Sequence, residues 1–250
     1  MNLVKLRKLS YEDVAKCNRC GFCLPACPIY TIKGVEAASP RGRNAITRAV
    51  LEGRLDWSED IEKSIFSCLG CGACTVACFP SIGTKEIVFR DRACLVDEGI
   101  FPRAIDRLGQ SLKETHNIAE EDNEERAEWT DLFKGLPDHR FERDRAEVVY
   151  FVGCVSSFFP MAQSIPASMA AILTRADVDF AVLGGEEWCC GYPLIGAGMP
   201  DEMEALMNHN MERVREMGAK KAVFTCPSCY HTWKTFYPAE LEILSASEFL

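Results

Sequence analysis

Short apolar runs alternate with amphipathic stretches in the second half of the chain. The apolar runs predict strands, and the stretches with helical periodicity between them predict helices. Gly184 ends the second strand, and Gly218 ends the longest helix. The predicted strands are 148–152, 180–183, 222–224 and 241–244, and the predicted helices are 161–175, 202–217 and 227–236. This alternation is typical of an α/β domain with a small parallel sheet.

The first hundred residues follow another pattern, in which short helical stretches surround repeated cysteines. Ser10 and Ser58 are predicted helix N-caps, because each precedes acidic residues at the start of an amphipathic stretch. A helix is predicted over 85–98, and two more over 103–140. We therefore divide the chain into an α-helical domain, 1–102, a helical linker, 103–145, and an α/β domain, 146–250.

Composition and charge exclude several classes of protein. The chain has 250 residues, and its formal charge of −9 argues against nucleic acid as a partner, because binding phosphates needs a basic face. No apolar run approaches the roughly 18 residues of a membrane span. The N-terminus lacks the apolar region of an export signal, so we expect a cytoplasmic protein. The acidic residues at 120–125 predict a solvated helix face or linker, or else a docking surface for a basic partner.

Fourteen cysteines carry the chemistry of this sequence. Eight of them repeat one spacing, CxxCxxCxxxC, which is typical of loops that bind cubane iron–sulfur clusters. The first run is Cys17, Cys20, Cys23 and Cys27, followed by Pro28, and the second is Cys68, Cys71, Cys74 and Cys78, with Pro80 just beyond. In two-cluster ferredoxins the fourth cysteine of each run ligates the other cluster. Carried over to this chain, cluster 1 takes Cys17, Cys20, Cys23 and Cys78, and cluster 2 takes Cys68, Cys71, Cys74 and Cys27.

Other interpretations of these cysteines stay open at this point. A disulfide scaffold is typical of short secreted chains, whereas this chain is long and favours a reducing, anaerobic setting. Structural zinc also uses CxxC pairs, although two runs of four exceed what one site needs. Cys94 lies outside the pattern and is expected to be a buried thiol. The SPRGR segment at 39–43 either caps the following helix or places two arginines beside the clusters.

Five further cysteines follow the predicted strands of the α/β domain. Cys154 follows the first strand, Cys189 and Cys190 follow the second, and Cys226 and Cys229 follow the third. Parallel strands bind ligands at their carboxyl ends, so the five thiols are expected to share one metal site, and they are also our candidates for catalytic residues. A thioredoxin-type dithiol or a zinc site would use only some of them. We expect His231 to lie near the site or on the surface rather than to bind the metal.

These cysteines resemble a known family. The arrangement of Cys154, Cys189-Cys190-Gly191 and Cys226-x2-Cys229 is similar to the CCG cysteine-rich domain of heterodisulfide reductase catalytic subunits and of glycolate oxidase iron–sulfur subunits. The segments CNRCGFCLPACPIY, SPRGR and CLGCGACTVACFP resemble the two-cluster module fused ahead of that domain. The resemblance implies two [4Fe-4S] cubanes and a noncubane four-iron cluster, which is held by the five CCG cysteines. The family usually has two CCG copies, so we expect either a portion of a longer protein or a one-copy variant.

The function that follows is electron transfer within an oxidoreductase complex. Electrons would come from a flavin-containing dehydrogenase or bifurcating subunit, pass through the cubanes to the CCG cluster, and continue to a disulfide, a quinone or a redox partner. That partner could also tether the chain to a membrane. No GxGxxG follows a strand, so no flavin or nicotinamide site is expected in the chain itself. The alternatives are a heterodisulfide reductase-like catalytic subunit and a zinc-binding interaction module.

Overall fold

The computed structural model describes residues 8–132, 141 and 143–250, and these divide into two compact units. The described residues up to 106, together with 193–201, form the helical unit. The described residues of 107–192 and 202–250 form the α/β unit. Segment 193–201 thus comes from the second half of the sequence but packs within the helical unit, where the carbonyl of Gly196 accepts a hydrogen bond from Arg92.

The helical unit is built from short helices that surround the two cysteine runs. Its helices are α1 Tyr11–Ala15, α2 Pro28–Lys33, α3 Pro40–Leu51, α4 Glu59–Phe66, α5 Ala73–Val76 and α6 Thr84–Asp97. Ser58 caps α4 as predicted, since its side chain accepts from the Ile61 N–H, whereas Ser10 begins α1 without a capping hydrogen bond from its side chain. The apolar faces of α4 and α6 bury Ile65, Ile87 and other aliphatic side chains.

The SPRGR segment caps the following helix, which is the first of its two expected roles. Ser39 caps α3 by accepting a hydrogen bond from the Gly42 N–H at 2.9 Å, and Pro40 occupies the first turn, where no amide donor is needed. Arg43 is buried and ties α3 to the end of α4, because its guanidinium donates to the Ser64 carbonyl and to the Ser67 hydroxyl, each at 2.9 Å. Arg41 extends instead toward the first cysteine run, as described below.

The α/β unit contains a four-stranded parallel sheet in the order β2-β1-β3-β4. The strands are β1 Val148–Phe151, β2 Phe180–Ala181, β3 Lys221–Phe224 and β4 Glu242–Ser245. The helices are α7 Arg103–Glu114, whose first turn belongs to the helical unit, α8 Cys154–Phe158, α9 Ser164–Arg175, α11 Glu202–Glu216, α12 Pro227–Phe236 and α13 Ala246–Phe249. Helix α10, Tyr192–Ala197, belongs to the helical unit except for Tyr192. The predicted fold class, a helical two-cluster region followed by an α/β domain with a parallel sheet, is confirmed. Strand β2 is shorter than predicted.

The region between the two cysteine systems differs from its prediction. One of the two expected helices is α7, but the second is a 3-10 helix at Asn123–Leu132, and the rest of the expected span, 133–140, lies outside the described residues. The 3-10 helix packs on the sheet through Trp129, which is buried with Phe141 and Phe180 in one apolar core. The acidic residues at 120–125 are exposed, as expected of a solvated segment. No helix among the described residues is long and apolar enough to cross a membrane.

Candidate metal centres

Two pockets in the helical unit gather the eight cysteines of the repeated runs. The first pocket is lined by Cys17, Cys20, Cys23 and Cys78, and the second by Cys68, Cys71, Cys74 and Cys27. Each pocket therefore holds the first three cysteines of one run together with the fourth cysteine of the other, and Cys74 of the second run also borders the first pocket. That is the grouping that the comparison with two-cluster ferredoxins implies.

Cys74 and Thr84 line both pockets, so the two sites share a wall. Burial, together with the neighbouring thiols of Cys68 and Cys71, raises the pKa of the Cys74 thiol to about 11. Repulsion among neighbouring thiolates is expected where several cysteines are placed to bind one cationic group.

No three or more histidine, cysteine, aspartate or glutamate side chains in the described part of the chain are placed close enough together to hold a single metal ion.

Backbone amides point at the sulfurs of the second pocket. The Tyr30 N–H donates to Cys27 Sγ and the Gly70 N–H to Cys68 Sγ, each at 3.4 Å. The first contact arises because Cys27 is the N-cap of α2, with Pro28 in the first turn. The second arises because Gly70 has φ +64°, which allows the loop to coil around the sulfur. Donors of this kind favour thiolates, so the pocket fits a group that thiolates hold.

Arginine side chains adjoin both pockets, and Arg43 lines the second. Arg41 lines the first pocket, and its Nη1 donates to the Arg19 carbonyl at 3.2 Å, which positions its charge beside the first cysteine run. Arg92 of α6 donates to the carbonyl of Cys68 and to that of Ile65, at 3.3 Å for the latter. Its guanidinium also lies over the Phe66 ring, 5.1 Å from the centroid. Arg92 was not predicted from the sequence, where it is one of several charges on an amphipathic helix.

The five cysteines of the α/β unit are brought together at the carboxyl edge of the sheet. Cys154 begins α8 directly after β1, Cys226 is the N-cap of α12 directly after β3, and Cys229 lies in the first turn of that helix. Hydrogen-bonding contacts join the thiols in a chain, from Cys154 to Cys189, Cys190, Cys229 and Cys226. All of them are buried except Cys226, which is half-buried. We call this set the CCG site.

The contacts between these thiols divide them into two groups. The pKa of Cys190 is lowered by its contacts with Cys189 and then Cys229, and the pKa of Cys226 is lowered by its contact with Cys229. The pKa values of Cys154 and Cys229 are raised by hydrogen bonds to neighbouring thiols and by burial, and that of Cys189 is raised although its contact with Cys154 opposes the rise. Metal ligands must be deprotonated, so a metal-bound group at this site would displace the protons that these thiols share.

Gly153 makes room for the CCG site. Its φ of +83° and ψ of 151° form the turn from β1 to α8, a conformation that residues with a Cβ avoid. A Cβ on Gly153 would lie 3.0 Å from Cys229 Sγ and 3.7 Å from Cys226 Cβ. The turn therefore places Cys154 and keeps open the space into which the other two cysteines project.

The segment that carries Cys189 and Cys190 is held by buried hydrogen bonds. Asn210 of α11 donates to the Cys189 carbonyl at 3.2 Å, and the hydroxyl of Tyr237 donates to the Cys190 carbonyl at 3.2 Å. The Cys189 N–H donates to the His116 carbonyl at 2.8 Å. Trp188, just before this pair, is stacked between the rings of His116 and His209, with centroid distances of 3.5 and 3.6 Å. Both faces of the indole are thus covered, and its position is fixed.

A buried ion pair completes the surroundings of the CCG site. Arg126 Nη1 donates to Glu187 Oε1 at 3.0 Å, and both side chains are at least 98% buried. Glu187 also accepts from the N–H groups of Val152 and Gly153, each at 2.8 Å. Burial raises the pKa of Glu187 to about 7, and Arg126 together with these two amides opposes that rise.

Sequence reasoning located the thiols but missed the polar residues that support them. Arg126, Glu187 and Asn210 all lie in stretches that look solvated, so no periodicity marks them. Of the residues set aside by the sequence analysis, His231 is exposed, and Cys94 is half-buried on α6. Cys94 is absent from the lining of either cysteine pocket as far as the described residues go.

Comparison with known proteins identifies both halves of the chain. Residues 13–82 match the family of 4Fe-4S dicluster domains, and residues 148–234 match the family of cysteine-rich domains called CCG. The chain is 31% identical to a subunit of the dihydromethanophenazine:CoB–CoM heterodisulfide reductase of Methanosarcina barkeri, over 98% of this chain and 64% of that protein. The chain thus spans a little under two thirds of the length of that relative.

Other relatives are also redox proteins. Over 72 residues, 28% of this chain and 16% of the relative, the chain is 49% identical to a probable glycolate oxidase iron–sulfur subunit of Bacillus subtilis. It is 24% identical to the EtfAB:quinone oxidoreductase of Syntrophomonas wolfei, over 90% of this chain and 37% of that protein. No solved structure matches the chain. The resemblance predicted from the motifs is confirmed: residues 13–82 match the 4Fe-4S dicluster domains, residues 148–234 match the CCG domains, and the chain is similar to the iron–sulfur subunits of oxidoreductases.

Proposed function

We propose that the chain is the electron-transfer subunit of a multi-subunit oxidoreductase, which takes electrons from a flavin-containing partner and passes them through two cubanes to a noncubane cluster at the CCG site. The observation that carries this proposal is the sorting of eight cysteines into two adjoining pockets. Bound iron–sulfur clusters supply one-electron transfer, and the protein sets their spacing and potential.

The ligand assignment belongs to the proposal. Cluster 1 is held by Cys17, Cys20, Cys23 and Cys78, and cluster 2 by Cys68, Cys71, Cys74 and Cys27, which agrees with the lining of the two pockets. Cys74 and Thr84, which border both pockets, keep the two sites adjacent. The noncubane cluster is held by Cys154, Cys189, Cys190, Cys226 and Cys229, and their contacts as a chain support a site that uses all five.

The partners are proposed from the chemistry of the relatives. One relative is a quinone oxidoreductase, one is a probable glycolate oxidase iron–sulfur subunit, and one is a subunit of a heterodisulfide reductase, as their names state. A flavin-containing dehydrogenase or bifurcating subunit is therefore the proposed electron donor, and a disulfide, a quinone or another redox subunit is the proposed acceptor. A cytoplasmic location, at the membrane only through a partner, fits the fourteen free cysteines of this chain.

A second candidate function is reduction of a disulfide at the CCG site itself. It is favoured by the similarity to the heterodisulfide reductases of Methanosarcina, which extends over 98% of this chain. In that case the five CCG cysteines would form the active site rather than a relay point. A disulfide added to the isolated, reduced chain would then change the electron paramagnetic resonance (EPR) signal of the third cluster, whereas an unchanged signal would leave the relay as the function.

Metal analysis of anaerobically purified protein tests the proposal most directly. Three four-iron clusters predict about twelve irons and as much acid-labile sulfide per chain, and two predict about eight. The C71S variant should degrade cluster 2 and slow electron transfer to the acceptor, and C94S on α6 is the matched control. Zinc in place of iron, or unaltered electron transfer in C71S, would contradict the proposed path.

A further inference from the structure

Arg126 is a buried cation at the CCG site that comes from outside the cysteine-rich sequence. It lies on the 3-10 helix Asn123–Leu132, within the segment that the sequence assigned to a linker. Its side chain is 2% exposed. Burial of a charge without partners is costly, so a guanidinium in this position must be compensated by the groups around it.

The contacts of Arg126 point its charge at one sulfur of the site. Nη2 lies 3.5 Å from Cys154 Sγ and donates to it. Nη1 donates to Glu187, and Nε and Nη2 both donate to Asn123 Oδ1 at 3.2 Å. The guanidinium also lies over the Phe158 ring of α8, 5.1 Å from its centroid. Glu187, Asn123 and Phe158 thus hold the planar guanidinium on three sides, and its orientation toward Cys154 is fixed.

The ion pair with Glu187 does not cancel the positive charge that Arg126 presents to Cys154. The carboxylate is already stabilised by the N–H groups of Val152 and Gly153, both at 2.8 Å, on the turn that leads to Cys154. Glu187 therefore fastens Arg126 to that turn, while the guanidinium remains close to the sulfur. A thiolate-bound iron–sulfur group adds negative charge at the same point, and a fixed cation beside it favours the more negative, reduced state.

We propose that Arg126 is a positioning residue that acts through Cys154: it is the counter-ion of this ligand and raises the reduction potential of the group bound at the CCG site. The inference rests on the proposed function, since it requires a cluster at that site. It assigns to the segment before the cysteine-rich domain a role in setting the reduction potential of the group bound at the CCG site. A purely structural role for Arg126 would affect stability but would leave the potential unchanged.

The test compares R126Q, which removes the charge, with R126K, which keeps it, in the full chain reconstituted anaerobically. Iron content and an EPR-monitored redox titration are measured for each variant. R107Q is the matched control, because Arg107 in the same unit also pairs with a carboxylate, Glu120, at 2.7 Å, but at the exposed surface. We expect a lower midpoint potential for the third cluster in R126Q, and potentials near that of the wild type in R126K and R107Q.

The outcomes separate this inference from the function on which it rests. Loss of the third cluster in R126Q but not in R126K would support the counter-ion role of Arg126, since R126K keeps the positive charge that R126Q removes. An unchanged potential in R126Q, or loss of the third cluster in both variants, would overturn it. A wild-type chain that binds about eight irons, from two four-iron clusters, would instead refute the third cluster itself.

Discussion

Asn210 holds the backbone of Trp188 at both of its ends. Its Oδ1 accepts from the Trp188 N–H at 2.9 Å, and its Nδ2 donates to the Trp188 carbonyl at 3.1 Å. The same Nδ2 reaches the Cys189 carbonyl and the Tyr237 hydroxyl, each at 3.2 Å. One fully buried amide on α11 thus fixes the segment that presents two cysteines of the CCG site.

In the N210A variant, the segment that presents Cys189 and Cys190 should therefore lose its conformation while the sheet stays folded. It leaves buried backbone groups unpaired, which should cost roughly 3 kcal/mol of unfolding free energy. We expect the iron content to fall by one cluster while the EPR signals of the cubanes persist. N208A, at an exposed position of the same helix, is the control and should keep the iron content of the wild type. Equal iron contents in N210A and wild type would show that the CCG segment holds its shape without the amide.

The G153A variant tests the close approach of backbone and sulfur at the CCG site. The new Cβ would lie 3.0 Å from Cys229 Sγ, at a φ that already disfavours alanine. We expect loss of the CCG-bound iron. G218A has a similar φ of +71° but no heavy atom within 4 Å of the added Cβ, so it should cost only about 1 kcal/mol of backbone strain and keep its iron. If both variants lost the same amount of iron, strain alone would explain the effect.

The grouping of cysteines in the two pockets predicts a crossed pattern of cluster loss. C78S should degrade the cluster that Cys17, Cys20 and Cys23 bind, and C27S should degrade the other, because each fourth cysteine lines the pocket of the opposite run. Each variant would be compared by EPR with C20S, which removes a ligand of the first cluster, and with C71S, which removes a ligand of the second. Matching spectra are expected for C78S with C20S and for C27S with C71S. The reverse pairing would mean that each run binds its own cluster.

Asp91 should make the stability of the helical unit depend on pH. Burial raises its pKa from 3.8 to about 8, while Thr47 and the charges of Arg90 and Arg92 oppose the rise. The geometry agrees with a protonated carboxyl. The Thr47 hydroxyl has one hydrogen but lies 3.0 Å from the Arg43 carbonyl and 2.7 Å from Asp91 Oδ2, so a proton on Asp91 lets both contacts be hydrogen bonds.

The sign of the effect follows from the proton balance. Between pH 4 and 8 the folded chain keeps a proton on Asp91 that the unfolded chain releases, so this contribution to stability is present at low pH and is lost as the pH rises through about 8. In denaturant titrations, the free energy of unfolding of D91N relative to that of the wild type should increase by a few kcal/mol between pH 5 and pH 8. D97N, exposed on the same helix, should track the wild type at each pH. A constant difference between D91N and wild type would mean that Asp91 does not change protonation.

Much of the fold and of the candidate sites was predictable because it depends on local pattern. Apolar runs located the four strands. In β1 this is because a strand buried on both faces has no polar positions, and Val148–Phe151 is buried throughout, whereas β4 is only partly covered. Strand β2 was overestimated because Val182 and Leu183 are buried without belonging to the strand. The 3-10 helix Asn123–Leu132 was taken for an ordinary helix because its charges suggest a solvated α-helix, although Trp129 anchors it in the core.

The sequence by itself determined the cysteine spacings and their places after strands β1 and β3, because metal-binding loops and strand ends are encoded by neighbouring residues. Only the tertiary structure decided which polar side chains serve those cysteines. Arg126 lies 28 positions from Cys154 and 61 from Glu187 along the chain, yet all three are in contact. From the sequence, a charged residue in a polar stretch is expected to be exposed whether or not the fold buries it. Only the packing of the segments around it excludes water and selects its partners.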